Sequence, residues 1–201
     1  ISQLSSERLL DEFKKLTKSC GFLKLFNDKE SLELIKIIFP QFKNLDNFKK
    51  LNSHALNNLI KEDFIFLISL LIVDGTDNVD YFFYKFNISK KDQKRLKLID
   101  LFYKEKINIK NFTENKFNKI FYFNGRQTVI DVINFKLFTS RKVEKKLMKK
   151  IEFYKNKIRP TMPISANILI SQFNIPEGKI LGDKLKMIED TWVCNNFQIS
   201  D

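Results

Sequence analysis

Apolar residues recur at spacings of three, four and seven along most of this chain, the period of helices that bury one face. Ser5 and Ser6 precede the first such stretch. Its inward stripe is Leu9, Leu10, Phe13 and Leu16, with Glu7 in the first turn and Gly21 at the end. A second helix is predicted from Glu30 to Phe39, stopped by Pro40. A longer one is capped by Asn52-Ser53, runs through Val73 and closes at Asp74-Gly75. Val79 to Phe86 predicts a short aromatic helix, and Ser89 opens another with Leu96, Ile99 and Phe102 or Tyr103 inward. Asn111 or Thr113 caps the next, Asn124-Gly125 breaks it, and a further apolar helix follows. From Ser140 a lysine-rich helix is predicted, with Val143, Leu147, Ile151 and Tyr154 at helical spacing. Pro160 and Pro163 punctuate the approach to a last helix, whose stripe is Ile180, Leu181, Leu185, Ile188 and Trp192. Trp192 ends that stripe and is expected to be buried. No stretch alternates like a strand, and no fixed-period repeat is present. The pattern predicts an all-α fold of about ten helices.

Composition narrows the classes. At 201 residues the chain has room for one large core or two small ones. With 43% hydrophobic residues and 21 Phe it is no disordered chain. Five Gly and four Pro are too few for the tight turns of an all-β fold. The most apolar run, Phe64 to Val73, is shorter than the roughly 20 residues that cross a bilayer, so it reads as a buried helix and no membrane partner is expected. Cys20 and Cys194 form no C-x-x-C pattern and read as reduced thiols, which suits a cytoplasmic location. A single histidine, His54, leaves no His/Cys metal cluster. Asp74, Asp77 and Asp80 fit a polar helix start rather than a calcium loop. The chain opens with Ile1-Ser2, without Met or a signal peptide, and is read as a piece of a longer protein.

Charge changes the picture more. The formal net charge is +12, which argues for a polyanionic partner, nucleic acid before an anionic surface. It is unevenly spread. Residues 140–160 hold nine basic side chains, Arg141, Lys142, Lys145, Lys146, Lys149, Lys150, Lys155, Lys157 and Arg159, against Glu144 and Glu152. On a helix, Lys142, Lys145, Lys146, Lys149 and Lys150 fill one broad face away from the apolar stripe. Such a face neutralises phosphates or is simply solvated, and the pattern alone supports both. The aromatic clusters Phe82-Phe83-Tyr84 and Phe121-Tyr122-Phe123 sit at core spacings.

Two stretches carry a resemblance. Pro163, Ile164 and Ser165, followed by Pro176, Gly178, Gly182, Leu185, Ile188, Glu189 and Trp192, resemble the C-terminal end of bacterial tRNA nucleotidyltransferases, the CCA-adding enzymes and related poly(A) polymerases. The chain departs from that pattern at Ala166, where the family has Gly, and at Ile168, where it has Asp. Near the start, Ser5, Glu7, Arg8, Leu9 and Glu12 are similar to the S-x-E-R-[IL]-x-x-E element that supports the nucleotide-reading helix of the family's neck. Glycines in a helix cost about 1 kcal/mol each relative to alanine. The pair Gly178 and Gly182 therefore suggests a close approach of the backbone to another surface.

The resemblance implies an elongated helical arrangement. Residues 1–25 would be the end of the neck, with Glu7, Arg8 and Glu12 as its support motif, 26–138 a helical body, and 139–201 a tail with the basic helix and the terminal G-x-x-x-G helix. It implies tRNA as the partner, held by elbow and acceptor stem, with the nine basic residues above as candidate contacts. The family's D-x-D metal-binding carboxylates and its E-D-x-x-R nucleotide-reading motif are absent, so no catalytic or metal-binding residue is assigned here. Magnesium and CTP or ATP belong with a catalytic head expected before Ile1. A poly(A) polymerase of the same family, and a basic helical interaction module without enzymatic role, remain open as alternatives.

Overall fold

The computed structural model describes residues 5–19, 21–105 and 113–198. Ile1 and Ser2, Cys20 and the candidate cap Asn111 lie outside them. Among the described residues the regular structure is all helical: twelve α-helices and two 3-10 turns, with no strand. No helix there is long and apolar enough to cross a membrane. The chain divides into two compact units, residues 1–107 with 130–153, and residues 108–129 with 154–201.

Unit 1 begins with α1 (Ser6–Thr17), whose N-cap Ser5 accepts from the Arg8 N–H at 3.3 Å. Of the predicted stripe, Leu10 and Phe13 are buried while Leu9 and Leu16 are half-buried. After Gly21 the chain forms a short α2 (Phe22–Leu25), then α3 (Lys29–Ile38), capped by Asp28. Phe13, Phe22, Phe26, Phe39, Phe42 and Phe48 are all buried. Their rings form a connected series, with Phe39 stacked on Phe42 at 4.7 Å and Phe26 on Phe48 at 4.5 Å. Such aromatic pairs contribute about 0.5–1.5 kcal/mol beyond the area they bury.

The predicted single helix from Asn52 to Val73 is in fact broken. It comprises α4 (Ser53–Asn58), a 3-10 turn at Leu59–Lys61, and α5 (Phe64–Ile72). Asp63 causes the break by starting a new helix, its carboxylate accepting from the Phe66 N–H at 2.9 Å. Residues 66–72 of α5 are all buried, as befits a helix apolar on every side. α6 (Asn78–Lys85) and α7 (Lys90–Lys104) follow, and residues 130–139 of α9 (Arg126–Thr139) are buried almost all round.

Asparagines close the helix ends. The last carbonyls of a helix lack an internal partner. Behind α5, Asn44 donates to the Val73 carbonyl at 2.6 Å and Asn78 to the Ile72 carbonyl at 2.7 Å. Behind α9, Asn52 donates to the Leu137 and Ser140 carbonyls at 2.8 and 2.9 Å.

The polar centre of unit 1 is Arg95 on α7. Its Nε donates to fully buried Asp131 of α9 at 2.7 Å, and its Nη2 to Asp63 at 2.6 Å. Burial opposes the charge, but the two carboxylates more than offset it and hold the guanidinium above its ordinary pKa. One side chain thus joins the start of α5, the middle of α7 and the middle of α9.

Unit 2 contains α8 (Glu114–Asn124), capped by Thr113, the segment leading to α11 (Ala166–Phe173), and α12 (Lys179–Cys194). α11 is a helix in a stretch to which the sequence pattern assigned none, and Ser165 caps it by accepting from the Ile168 N–H at 3.4 Å. Gly178 lies one residue before α12, not in its first turn, and adopts φ +128, a backbone that side-chain-bearing residues rarely take. The close approach expected at Gly182 is not present: a Cβ built there meets nothing within 4 Å. On α12 the inward stripe is Leu181, Leu185, Ile188 and Trp192. Ile180 is 62% exposed, because it lies about 100° around the helix from Leu181. Trp192 is 7% exposed and packs edge-on against Tyr122 at 5.5 Å.

The Arg95 network gives the first test. Asp131→Ala leaves the guanidinium buried with a partner missing and should lower unfolding free energy by about 3–5 kcal/mol in a urea titration. The paired change Arg95→Met with Asp131→Leu should cost less than Asp131→Ala alone. An unchanged midpoint for Asp131→Ala would remove the network from its structural role.

Candidate nucleic-acid interface

α10 (Lys145–Asn156) starts five residues later than Ser140. Arg141 and Lys142 therefore lie in a bend before the helix, and Val143, which the periodicity placed inward, is 37% exposed. Leu147, Ile151 and Tyr154 are buried as expected. Arg141, Lys142, Lys145, Lys146 and Lys149 are exposed and Lys150 is half-buried. Lys145 and Lys146 stand in the first turn, where the helix dipole is already positive. Cations there cost a few tenths of a kcal/mol or more, and they add to the field an anion would meet. Glu144, half-buried, lies just before them.

The remaining three basic residues belong to unit 2. Lys155 is exposed. Lys157 is half-buried, and its ammonium donates to Asn118 Oδ1 at 2.5 Å. The same nitrogen stands 5.4 Å from the Tyr154 and Phe197 ring centroids and 5.8 Å from that of Phe121. Burial lowers its pKa, with Glu114 acting the other way. Asn118 also accepts from the Tyr154 hydroxyl at 3.0 Å and donates to Asn196 at 3.1 Å, so buried Asn118 is the hub of this cluster. The Arg159 guanidinium lies 4.9 Å over the Tyr122 ring. The Tyr122 hydroxyl donates to Glu189 at 2.6 Å, and burial followed by that carboxylate raises its pKa.

The candidate neck-support residues are on the exposed side of α1. Glu12 pairs with Lys15 at 2.6 Å, and Glu7 accepts from Asn87 at 3.3 Å. Arg8 is exposed, and its N–H serves the N-cap. The aspartates after α5 are engaged locally: Asp74 accepts from the Thr76 backbone and hydroxyl, and Asp80 pairs with Lys97 at 3.2 Å. Among the described residues no group of three or more His, Cys, Asp or Glu side chains converges as a metal site would need.

Sequence reasoning missed the division among the nine basic residues. The aromatic spacing of Phe117, Phe121 and Tyr154 was visible, but that a lysine ammonium would sit among the rings was not. The consequence is measurable. Lys145→Ala, Lys146→Ala and Lys149→Ala should each stay within about 0.5 kcal/mol of the parent stability. Lys157→Ala should cost about 1–2 kcal/mol, by losing a charge-assisted hydrogen bond and its cation–π interactions. Equal effects by thermal melting would refute this division. No protein family, no curated protein and no solved structure matches the chain.

Proposed function

We propose that this chain is the tRNA-binding, non-catalytic portion of a CCA-adding tRNA nucleotidyltransferase. It positions the tRNA elbow and acceptor stem, while a catalytic head expected before Ile1 adds nucleotides to the 3′ end. The observation that carries the reading is the run Arg141, Lys142, Lys145, Lys146 and Lys149, exposed before and along the start of α10, with the helix dipole reinforcing the charge of Lys145 and Lys146 in the first turn. The resemblance of the residues around Ser5–Glu12 and Pro163–Trp192 to that family supplies the choice of RNA.

Duplex RNA is recognised chiefly through phosphates, 2′-hydroxyls and helix shape. A helical surface carrying cations suits that task without a base-reading motif. Nucleotide transfer needs cations held by carboxylates to bridge the triphosphate. The resemblance assigns magnesium and CTP or ATP to the head.

Two experiments test the reading. Lys145, Lys146, Lys149 and Lys150 are changed together to Gln, and tRNA binding is followed across a salt series. Affinity should fall similarly for different tRNA species, and the log–log salt slope should flatten by about 0.9 for each duplex phosphate no longer neutralised. Parent affinity and slope would make these lysines a solvated face. Separately, the chain is incubated with tRNA lacking its 3′ CCA, CTP, ATP and magnesium. No extension is expected, and extension above a protein-free control would place the chemistry within this chain.

A further inference from the structure

Unit 2 contains a cavity of about 280 Å³ that the phosphate-binding reading does not use. Its floor and walls are Trp192 and Ile188 of α12, Met187 on the same helix, and Met162, Pro163 and Ile164 from the segment before α11. Thr191, Asn195 and Gln198 supply its polar edge. The Trp192 indole also packs edge-on against Tyr122 at 5.5 Å and Phe197 at 5.1 Å.

The lining selects a chemistry. None of these side chains is ionisable, so a phosphate, carboxylate or ammonium finds no counter-charge inside. Thioethers and an indole favour a flat, polarisable body. Two carboxamides present donors and acceptors together, which matches a heterocycle edge carrying both. The volume lies below the roughly 300–1,000 Å³ of cavities for drug-sized ligands, so it admits one ring system and leaves anything attached to it outside. The outside is cationic where that attachment would run. Lys184 continues the Ile188–Thr191 stripe one turn earlier and is exposed. Asp183, Glu189 and Asp190 fall outside that stripe at 100° per residue, and Glu189 is engaged by the Tyr122 hydroxyl.

We propose that this cavity captures a single unstacked nucleobase of an RNA strand, whose flanking phosphate lies toward Lys184. The proposal takes its ligand class from the polyanion reading. The cavity itself is separate from the α10 lysines, so the two can fail independently. Stacking of a splayed base on an aromatic floor with hydrogen bonds to its edge is the usual mode of single-strand recognition.

Trp192 is the only tryptophan of the chain, so its emission reports this cavity alone. Adenosine, guanosine, cytidine and uridine are titrated separately, with N-acetyl-leucinamide as a stand-in for a partner protein's side chain. At least one nucleoside should quench the emission saturably and independently of salt, and N-acetyl-leucinamide should not. Ile164→Phe, which fills the cavity, and Thr191→Met, at an exposed position on its edge, should each weaken the nucleoside at least tenfold. Loss of salt-dependent tRNA binding in the α10 lysine variant with nucleoside quenching intact would separate the two sites. Absence of saturable quenching, tighter binding of N-acetyl-leucinamide, or parent affinity in both filled variants would overturn the proposal.

Discussion

Arg95 is the constraint on which unit 1 depends. A buried guanidinium is tolerated only where carboxylates meet it; besides Asp92 on its own helix at 3.5 Å, two lie on other helices, one capping α5 and one in α9. α5 is apolar nearly all round and α9 is buried nearly all round, so burial alone gives them little rotational preference. The planar fork of Arg95 supplies what the apolar surfaces lack, because it is satisfied only when Asp63 and Asp131 face α7 together. The same requirement accounts for the break in the chain before Phe64: Asp63 serves both as helix cap and as ion partner. Unit 2 closes on a cation of another kind. Lys157 is received by an amide oxygen and three aromatic faces, an arrangement that stabilises a charge less than a buried carboxylate does.

Local patterns were legible in the sequence to the extent that they are set locally. Ser5, Asn52, Ser89 and Thr113 cap helices because a short polar side chain precedes an apolar period, and that relation needs no distant partner. The split of the long central helix was not legible. Asp63 stands before the apolar run Phe64–Val73 and caps it locally, but the helical period was carried through it from Asn52. Ser140 misled for a related reason: a serine before a charged run reads as a cap, but the chain bends through Arg141–Glu144 before α10 begins. The carbonyls that Asn44, Asn78 and Asn52 close behind α5 and α9 were not legible, since nothing near these residues in sequence signals them.

The candidate site divides along the same line. A run of nine cations predicts a basic surface, but it does not distinguish a lysine in solvent from one drawn between aromatic rings. Helical spacing put Phe121 and Tyr154 inward, whereas the position of Lys157 depends on Asn118 and Phe197, residues 39 and 40 positions away from it. Exposed Arg141, Lys142, Lys145, Lys146 and Lys149 at the start of the run, and Lys157 and Arg159 at its end, therefore stand in different physical situations despite their adjacency in sequence.

That difference bears on what a polyanion would encounter. An exposed lysine contributes by releasing counterions from the nucleic acid, and it does so without regard to base identity. A cation spent on an aromatic face has part of its field already used, so Arg159 over Tyr122 and Lys157 beside Asn118 add less to long-range attraction than their formal charge suggests. What they do instead is fix Tyr122, Tyr154 and Phe197, and through Tyr122 and Phe197 the orientation of Trp192. Charge at the start of α10 is thus available for attraction, while that of Lys157 and Arg159, just beyond its end, is directed at aromatic faces.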